Sequence, residues 1–334
     1  MKHLIKITIF SFALSLFSCK GPSQDGNDTN QNDTATAQQS LLPNNFNSDS
    51  AFSYIAKQVS FGPRVPNTEA HRKCGVWMTE MLKKWCDTVY IQTFDAKSYK
   101  GELWKAKNLI GCFNPKNPNR LLLCAHWDTR PQADQDVINP NTPSDGANDG
   151  GSGVGVLLEI ARQLNLQKPG IGIDIVLFDV EDGGSNGNEI ESTWCLGSQY
   201  WGKTPHVAEY TAKNGILLDM VGSKNALFAR EEMSALHDNE FLGKVWQTGI
   251  SLGFGNYFSN YNKGGITDDH VYVTKLTGIK TIDIIDYSPN TQSGFGAYWH
   301  THNDNMSVID NATLNAVGKT VLQVVLNDDA SAIK

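Results

Sequence analysis

Apolar positions along this chain recur with two different periods, and segments of the two kinds alternate. Residues 66–86 and 153–164 carry apolar side chains three or four positions apart, the period of an amphipathic helix. Between them, residues 88–94 and 104–113 read as strands. Residues 120–127 contain Leu121, Leu122, Leu123, Cys124 and Ala125 with no polar break, the pattern of a strand covered on both faces. Residues 172–178, 215–220 and 279–285 repeat that pattern, and a last helix is predicted over about 310–326. Strands alternating with helices predict an α/β fold: one domain, with a mostly parallel, mixed central sheet flanked by helices on both faces. No internal repeat and no second hydrophobic pattern calls for another core.

The opening of the chain follows different rules. Lys2, His3 and Lys6 precede an apolar run over 7–17, too short to span a bilayer as a helix. The run ends in Leu16, Phe17, Ser18 and Cys19, which resembles a bacterial lipobox with Cys19 as the lipidated first residue of the mature chain. Residues 1–18 are therefore expected to be a lipoprotein signal peptide. Residues 19–46, rich in Asn, Gln, Asp, Ser and Thr, are expected to form a solvated tether. A catalytic domain is expected over 47–334, with Asn47, Ser48 and Asp49 capping its first helix. The expected location is the cell envelope, lipid-anchored on the periplasmic face or outer surface of a Gram-negative-type bacterium. The membrane contact is then the anchor alone, and a monomer is the default assembly.

Composition narrows the function classes. Lys and Arg number 28 against 35 Asp and Glu, giving a net charge of -7 with no basic run, which disfavours nucleic acid as a partner. Beyond Cys19 five cysteines remain, an odd number without a CxxC, so neither a disulfide framework nor a thiolate zinc knuckle is expected. Cys112 and Cys124 read as buried packing residues. Cys74 and Cys86 share one predicted helix and stand roughly 18 Å apart along it, beyond disulfide reach.

Ligands of open α/β sheets bind outside the carboxyl ends of the strands. Polar residues gather there in this chain. His126, Trp127 and Asp128 follow one predicted strand, Asp179, Glu181 and Asp182 another, and Asp219 a third. Asn148 and Asp149 lie in the glycine-rich loop before a helix, and Trp299, His300, Thr301 and His302 stand near the end. Any one of these alone reads as a cap, a turn or a solvated loop. Together they bring carboxylates to one rim without Lys or Arg, and a cation is the natural compensation. A mixed set of imidazole and carboxylate suits Zn²⁺ better than Ca²⁺ or Mg²⁺.

In this order the motifs resemble those of the zinc aminopeptidase-like (M28) superfamily, from about residue 50 to 328. Three details are similar to the bacterial relatives of the animal-type (type II) glutaminyl cyclases: Thr267, Asp268, Asp269 and His270 in a row, Trp299 directly before His300, and Trp194 downstream of the acidic pair. The chain departs from the animal enzymes in two ways. Ala125 stands where they carry a cysteine of a disulfide, and Asp182 replaces their usual Glu.

The resemblance implies a glutaminyl-peptide cyclotransferase, which converts N-terminal Gln of peptides or exported proteins to pyroglutamate and releases ammonia. It implies one Zn²⁺ per chain held by Asp149, Asp182 and His300. Glu181 is the implied general acid/base and Asp219 with Asp269 the supporting acid pair. Trp194, Trp299 and His126 line or adjoin the implied substrate site. The alternative within the same superfamily is a two-zinc aminopeptidase using His126, Asp149, Asp182, Asp219 and His300, with Asp149 bridging. A catalytically dead binding module would show a missing ligand or a missing glutamate, and none is missing. Residues 189–193 and 256–265 are expected as rim loops without an assigned role.

Overall fold

The computed structural model describes residues 43–185 and 193–332. Cys19, the signal peptide and most of the tether lie outside the described residues, as do residues 189–192 of the first rim loop. The folded part begins earlier than the predicted boundary at 47. Phe46 is buried, in van der Waals contact with Gly318, and the Asn44 amide donates to the Lys319 carbonyl at 2.7 Å. An aromatic residue just ahead of the first helix thus packs onto the domain.

A six-stranded sheet organises the chain. Strands β1 (Thr88–Lys97), β2 (Leu103–Phe113), β3 (Arg120–His126), β4 (Gly172–Phe178), β5 (Asn214–Asp219) and β8 (Thr281–Ile285) lie in the order β1-β2-β4-β3-β5-β8. β1 and β2 run antiparallel at one edge, and β4, β3, β5 and β8 run parallel. The apolar run of β3 divides between two cores. Leu121, Leu123 and Ala125 face the larger one, and Leu122 and Cys124 face the smaller. Helices α1 (Ser48–Val59), α2 (Glu69–Trp85), α3 (Ser152–Gln167), α5 (Glu232–Ser251) and α7 (Asn311–Ala332) build the larger layer; α4 (Leu196–Lys203) and α6 (Asp269–Thr277) cover the other face. The expected fold class is the observed one. Asn47 caps α1 as expected, its side chain accepting from the Ser50 amide at 2.9 Å. The five cysteines of the described residues are free.

Sequence periodicity missed several elements, each for a local reason. α5 carries a break at Asp238, whose backbone is extended, so its apolar positions keep no single phase. A two-stranded sheet pairs β6 (Phe228–Glu231) with β7 (Phe258–Lys263). β7 falls in the segment expected as a rim loop over 256–265. Its sequence FSNYNK buries only Phe258 fully, so it offers no alternation to read.

Away from the functional rim, Arg120 at the start of β3 meets Asp174 of β4. The guanidinium donates to both carboxylate oxygens, at 2.6 and 2.8 Å, and Tyr210 adds a third donor at 2.6 Å. Both charged partners are buried. Removing the cation strands a buried carboxylate, so Arg120→Met should cost about 3–5 kcal/mol in urea unfolding. A loss below about 1 kcal/mol would mean that water replaces the guanidinium.

Candidate active site

The carboxyl ends of β3, β4 and β5 deliver His126, Glu181, Asp182 and Asp219 to one rim. Sharp turns aim them. Val180 and Met220, the residues flanking the ends of β4 and β5, have φ of 52° and 47°, and His300 has φ of 54°. Non-glycine residues adopt such values at a cost of order 1–3 kcal/mol each, which the surrounding packing must offset. Beside Asp149, Gly150 has φ of 79°, and a Cβ there would lie 2.3 Å from the Asp128 carbonyl oxygen. Only glycine allows the loop to pass so close to β3.

Two buried aspartates orient the ligand loops through backbone amides. Asp304 accepts from the amides of Asn148 and Asp149 at 2.7 and 3.1 Å. Asp128 accepts from those of Glu181 and Asp182 at 3.0 and 3.2 Å. The result is that Asp149, Asp182 and His300 each offer a ligand atom, all within 4.8 Å of one another and all buried. His300 Nε2 lies 3.3 Å from Asp182 and 3.8 Å from Asp149.

This trio fits a zinc ion on its own chemistry. His300 Nδ1 donates to Asp134 at 3.0 Å, so the Nε2 lone pair faces the two aspartates. Two oxygens and one imidazole nitrogen are ordinary zinc donors. Without a cation the cluster strains its own titration. Burial, then Asp149, raises Asp182. Burial opposes charge on His300, yet Asp182, Asp134 and Asp149 lift its imidazolium to about 9.

His126 sits under the rim and does not line the cavity. Its Nε2 stands 3.1 Å from Asp149 and 3.2 Å from Asp219. His126, Asp149 and Asp219 therefore form a second group of potential ligands sharing Asp149 with the first.

A cavity of about 310 Å³ opens beside the trio, lined by Asp149, Glu181, Asp182, Trp194, Asp219, Asp268, Trp299 and His300, with Met220, Ile266, Thr267, Ile285 and Phe295. Burial, reinforced by Asp268, Asp182 and Asp269, lifts Glu181 well above the usual carboxylate range, against the pull of His126. The Cys195 thiol donates to Glu181 at 3.3 Å. Burial and then Asp219 push Asp268 up to about 7.

The structure corrects one expected site residue. Asp269 does not reach the cavity; Asp268 does. Asp268 is the extended N-cap of α6, still part of the loop and free to point at Glu181. Asp269 is the first helical residue, fully buried beside Ser198 of α4. Two adjacent acids give no sign in sequence of which one faces outward, although the cap preference of Asp marks where the helix starts.

Arg130 and Asp134 were missed altogether. The buried Arg130 donates to both Asp134 oxygens at 2.6 and 3.0 Å and to the Asp182 carbonyl at 3.1 Å. It also stacks 4.7 Å from the Trp194 ring. Asp134 thus ties His300 to an arginine that touches the facing ligand loop. Outer partners of metal-bound histidines fix ring orientation and basicity. Asp134→Ala should weaken zinc binding about 10- to 100-fold in chelator competition. Unchanged affinity would remove Asp134 from that role.

Comparison with known proteins places this geometry in a family. Residues 108–325 match the model of peptidase family M28. The fold is similar to a Zn-dependent exopeptidase from Parabacteroides distasonis, with 50% identity and a TM-score of 0.84 over 86% of this chain and 100% of the other. It is also similar to the glutaminyl cyclase of Tannerella forsythia, with 52% identity and a TM-score of 0.83 over 84% and 99%. Among curated sequences, the glutaminyl-peptide cyclotransferase of Boiga irregularis is 26% identical over 248 residues, 65% of this chain. The chain spans 64% of the length of that relative. The chain belongs to peptidase family M28.

Proposed function

We propose that the chain is a zinc-dependent glutaminyl-peptide cyclotransferase acting on peptides with N-terminal Gln. The observation that carries this reading is the small aromatic cavity that sets Trp194 and Trp299 around Glu181, Asp268 and the Asp149, Asp182 and His300 trio. The likeness to solved bacterial glutaminyl cyclases supports it.

Asp149, Asp182 and His300 would hold the zinc ion, which when bound would supply Lewis acidity toward the side-chain amide carbonyl. Glu181 accepts a proton from the substrate's α-amine as its nitrogen bonds to the side-chain carbonyl carbon. Glu181 then hands that proton to the departing nitrogen, which leaves as ammonia while a five-membered lactam remains. Its raised affinity for protons favours the first half of this transfer, and the basicity of the departing nitrogen drives the second. Asp219 and Asp268 accept hydrogen bonds from the leaving amide group. The tryptophans exclude water and hold the side chain folded back on its own amine, the arrangement that makes an intramolecular attack fast.

A specific observation favours a second reading. His126, Asp149 and Asp219 could hold another zinc, giving a two-zinc aminopeptidase with a Glu181-activated water. Outside the described residues, the sequence of the first 19 residues supports lipidation at Cys19 and attachment to the cell envelope.

Metal counting and two substrates separate the two enzymes. A cyclase should carry one zinc per chain and release ammonia from a Gln-initiated dipeptide. Two zinc ions with amine release from Leu-anilide would establish the peptidase instead. Glu181→Gln should retain zinc and lose about 10²–10⁴ in kcat. Asp268→Asn should cut kcat more deeply than Asp269→Asn; the reverse order would return Asp269 to the acid pair.

A further inference from the structure

Behind the aromatic wall lies a lysine that the chemistry above does not use. Lys263 ends β7, in the small second sheet. Its ammonium lies 4.5 Å from the centre of the Tyr287 ring and 4.4 Å from that of Phe295. It also donates to the Gly294 carbonyl at 3.5 Å. The side chain is half-buried.

The residues it touches belong to the loop over 286–296. One end of that loop is well fixed. Asp286 accepts from Ser223 at 2.6 Å, from Tyr298 at 2.9 Å and from the Leu227 amide at 2.9 Å. The middle closes on itself, with the Ser288 amide donating to Gly294 at 2.9 Å and the Thr291 hydroxyl to Phe295 at 2.6 Å. None of these bonds reaches the Phe295 ring. That ring packs 4.9 Å from Trp299, whose own ring stacks 3.7 Å from His300. It also packs against the buried cluster of Met220, Ile285 and Tyr298, and the ammonium meets it as well.

We infer that Lys263 is a positioning residue for substrate binding: its ammonium, seated between Tyr287 and Phe295, clamps the 286–296 loop and so holds Phe295 in place as a wall of the cavity. The inference deepens the cyclase reading and rests on it for its kinetic consequence. A cation over an aromatic face is favourable, more so when partly desolvated. Burial draws the ammonium down to about 8, against the opposing pull of Asp283, Asp286, Glu231 and Asp219, so the site keeps a cation at neutral pH. The lysine is absent from the cavity lining, and Asp219 is the weakest of the acids that act on it, so its loss should act first on the wall.

The test compares Lys263→Met with Lys263→Arg in the full chain. Lys263→Met should raise KM for a Gln-initiated dipeptide about fivefold, the size of one such contact, with kcat within twofold and zinc content unchanged. Lys263→Arg keeps the cation over both rings and should stay within twofold of wild type in KM. Chymotrypsin should cut Lys263→Met at Tyr287 or Phe295 under conditions that spare wild type and Lys263→Arg. Should Lys263→Met not fold, Lys263→Gln carries the same expectations. Wild-type KM and wild-type resistance in the neutral variant overturn the clamp, as does an arginine variant no better than methionine. If wild type releases no ammonia, the cyclase reading fails, while the cleavage comparison still decides the clamp.

Discussion

The site depends on holding like charges together against their repulsion. Asp149, Asp182, Asp219 and Asp268 are all buried, and Glu181 is nearly so, around one rim of the sheet. Two carboxylates about 4 Å apart repel by about 4 kcal/mol at an effective dielectric of 20. No single bond overcomes that several times over. The fold distributes the work among strained turns at Val180, Met220 and His300, backbone amides locked by Asp128 and Asp304, the imidazoles of His126 and His300, and the buried Arg130 guanidinium 3.5 Å from the Asp182 carboxylate. What remains uncompensated is a demand for a cation in the space that Asp149, Asp182 and His300 enclose.

The same demand explains why the site was largely legible in the sequence. Central strands buried on both faces must be continuously apolar, so Leu121 to Ala125 announced β3, and the residue following such a run must lie at the rim. His126, Asp182 and Asp219 were placed at the rim in this way, with Asp149 in a glycine-rich loop beside them; their roles as ligands or acids came only with the resemblance to the M28 superfamily. The illegible residues act sideways. Arg130 and Asp134 lie in a loop with no period, and their meaning comes only from His300, more than 160 positions away. The choice between Asp268 and Asp269 turned on one residue of helix phase. β7 escaped because a half-exposed edge element need not be apolar at all.

The ligand groups do not by themselves choose between cyclisation and peptide hydrolysis. Asp149 belongs to both potential metal groups, and Glu181 can serve an amine or a water. The difference lies in what surrounds them. Hydrolysis needs room for a water and for a chain that continues past the bond cut. Cyclisation carries its nucleophile within the substrate, so the enzyme's task is to fold one side chain onto its own amine and keep water away.

A wall can do that only if it is rigid, and here rigidity arrives through stacking. Trp299 lies between His300 and Phe295, and Trp194 lies over the Arg130 that grips Asp182 and Asp134. Each tryptophan is therefore fixed to the groups that would hold the metal. Shape and chemistry are coupled in one packed unit: a displacement of either tryptophan also turns a ligand. Such coupling favours a reaction in which the wall holds one side chain against its own amine, as the proposed closure of an N-terminal glutamine into a five-membered ring requires.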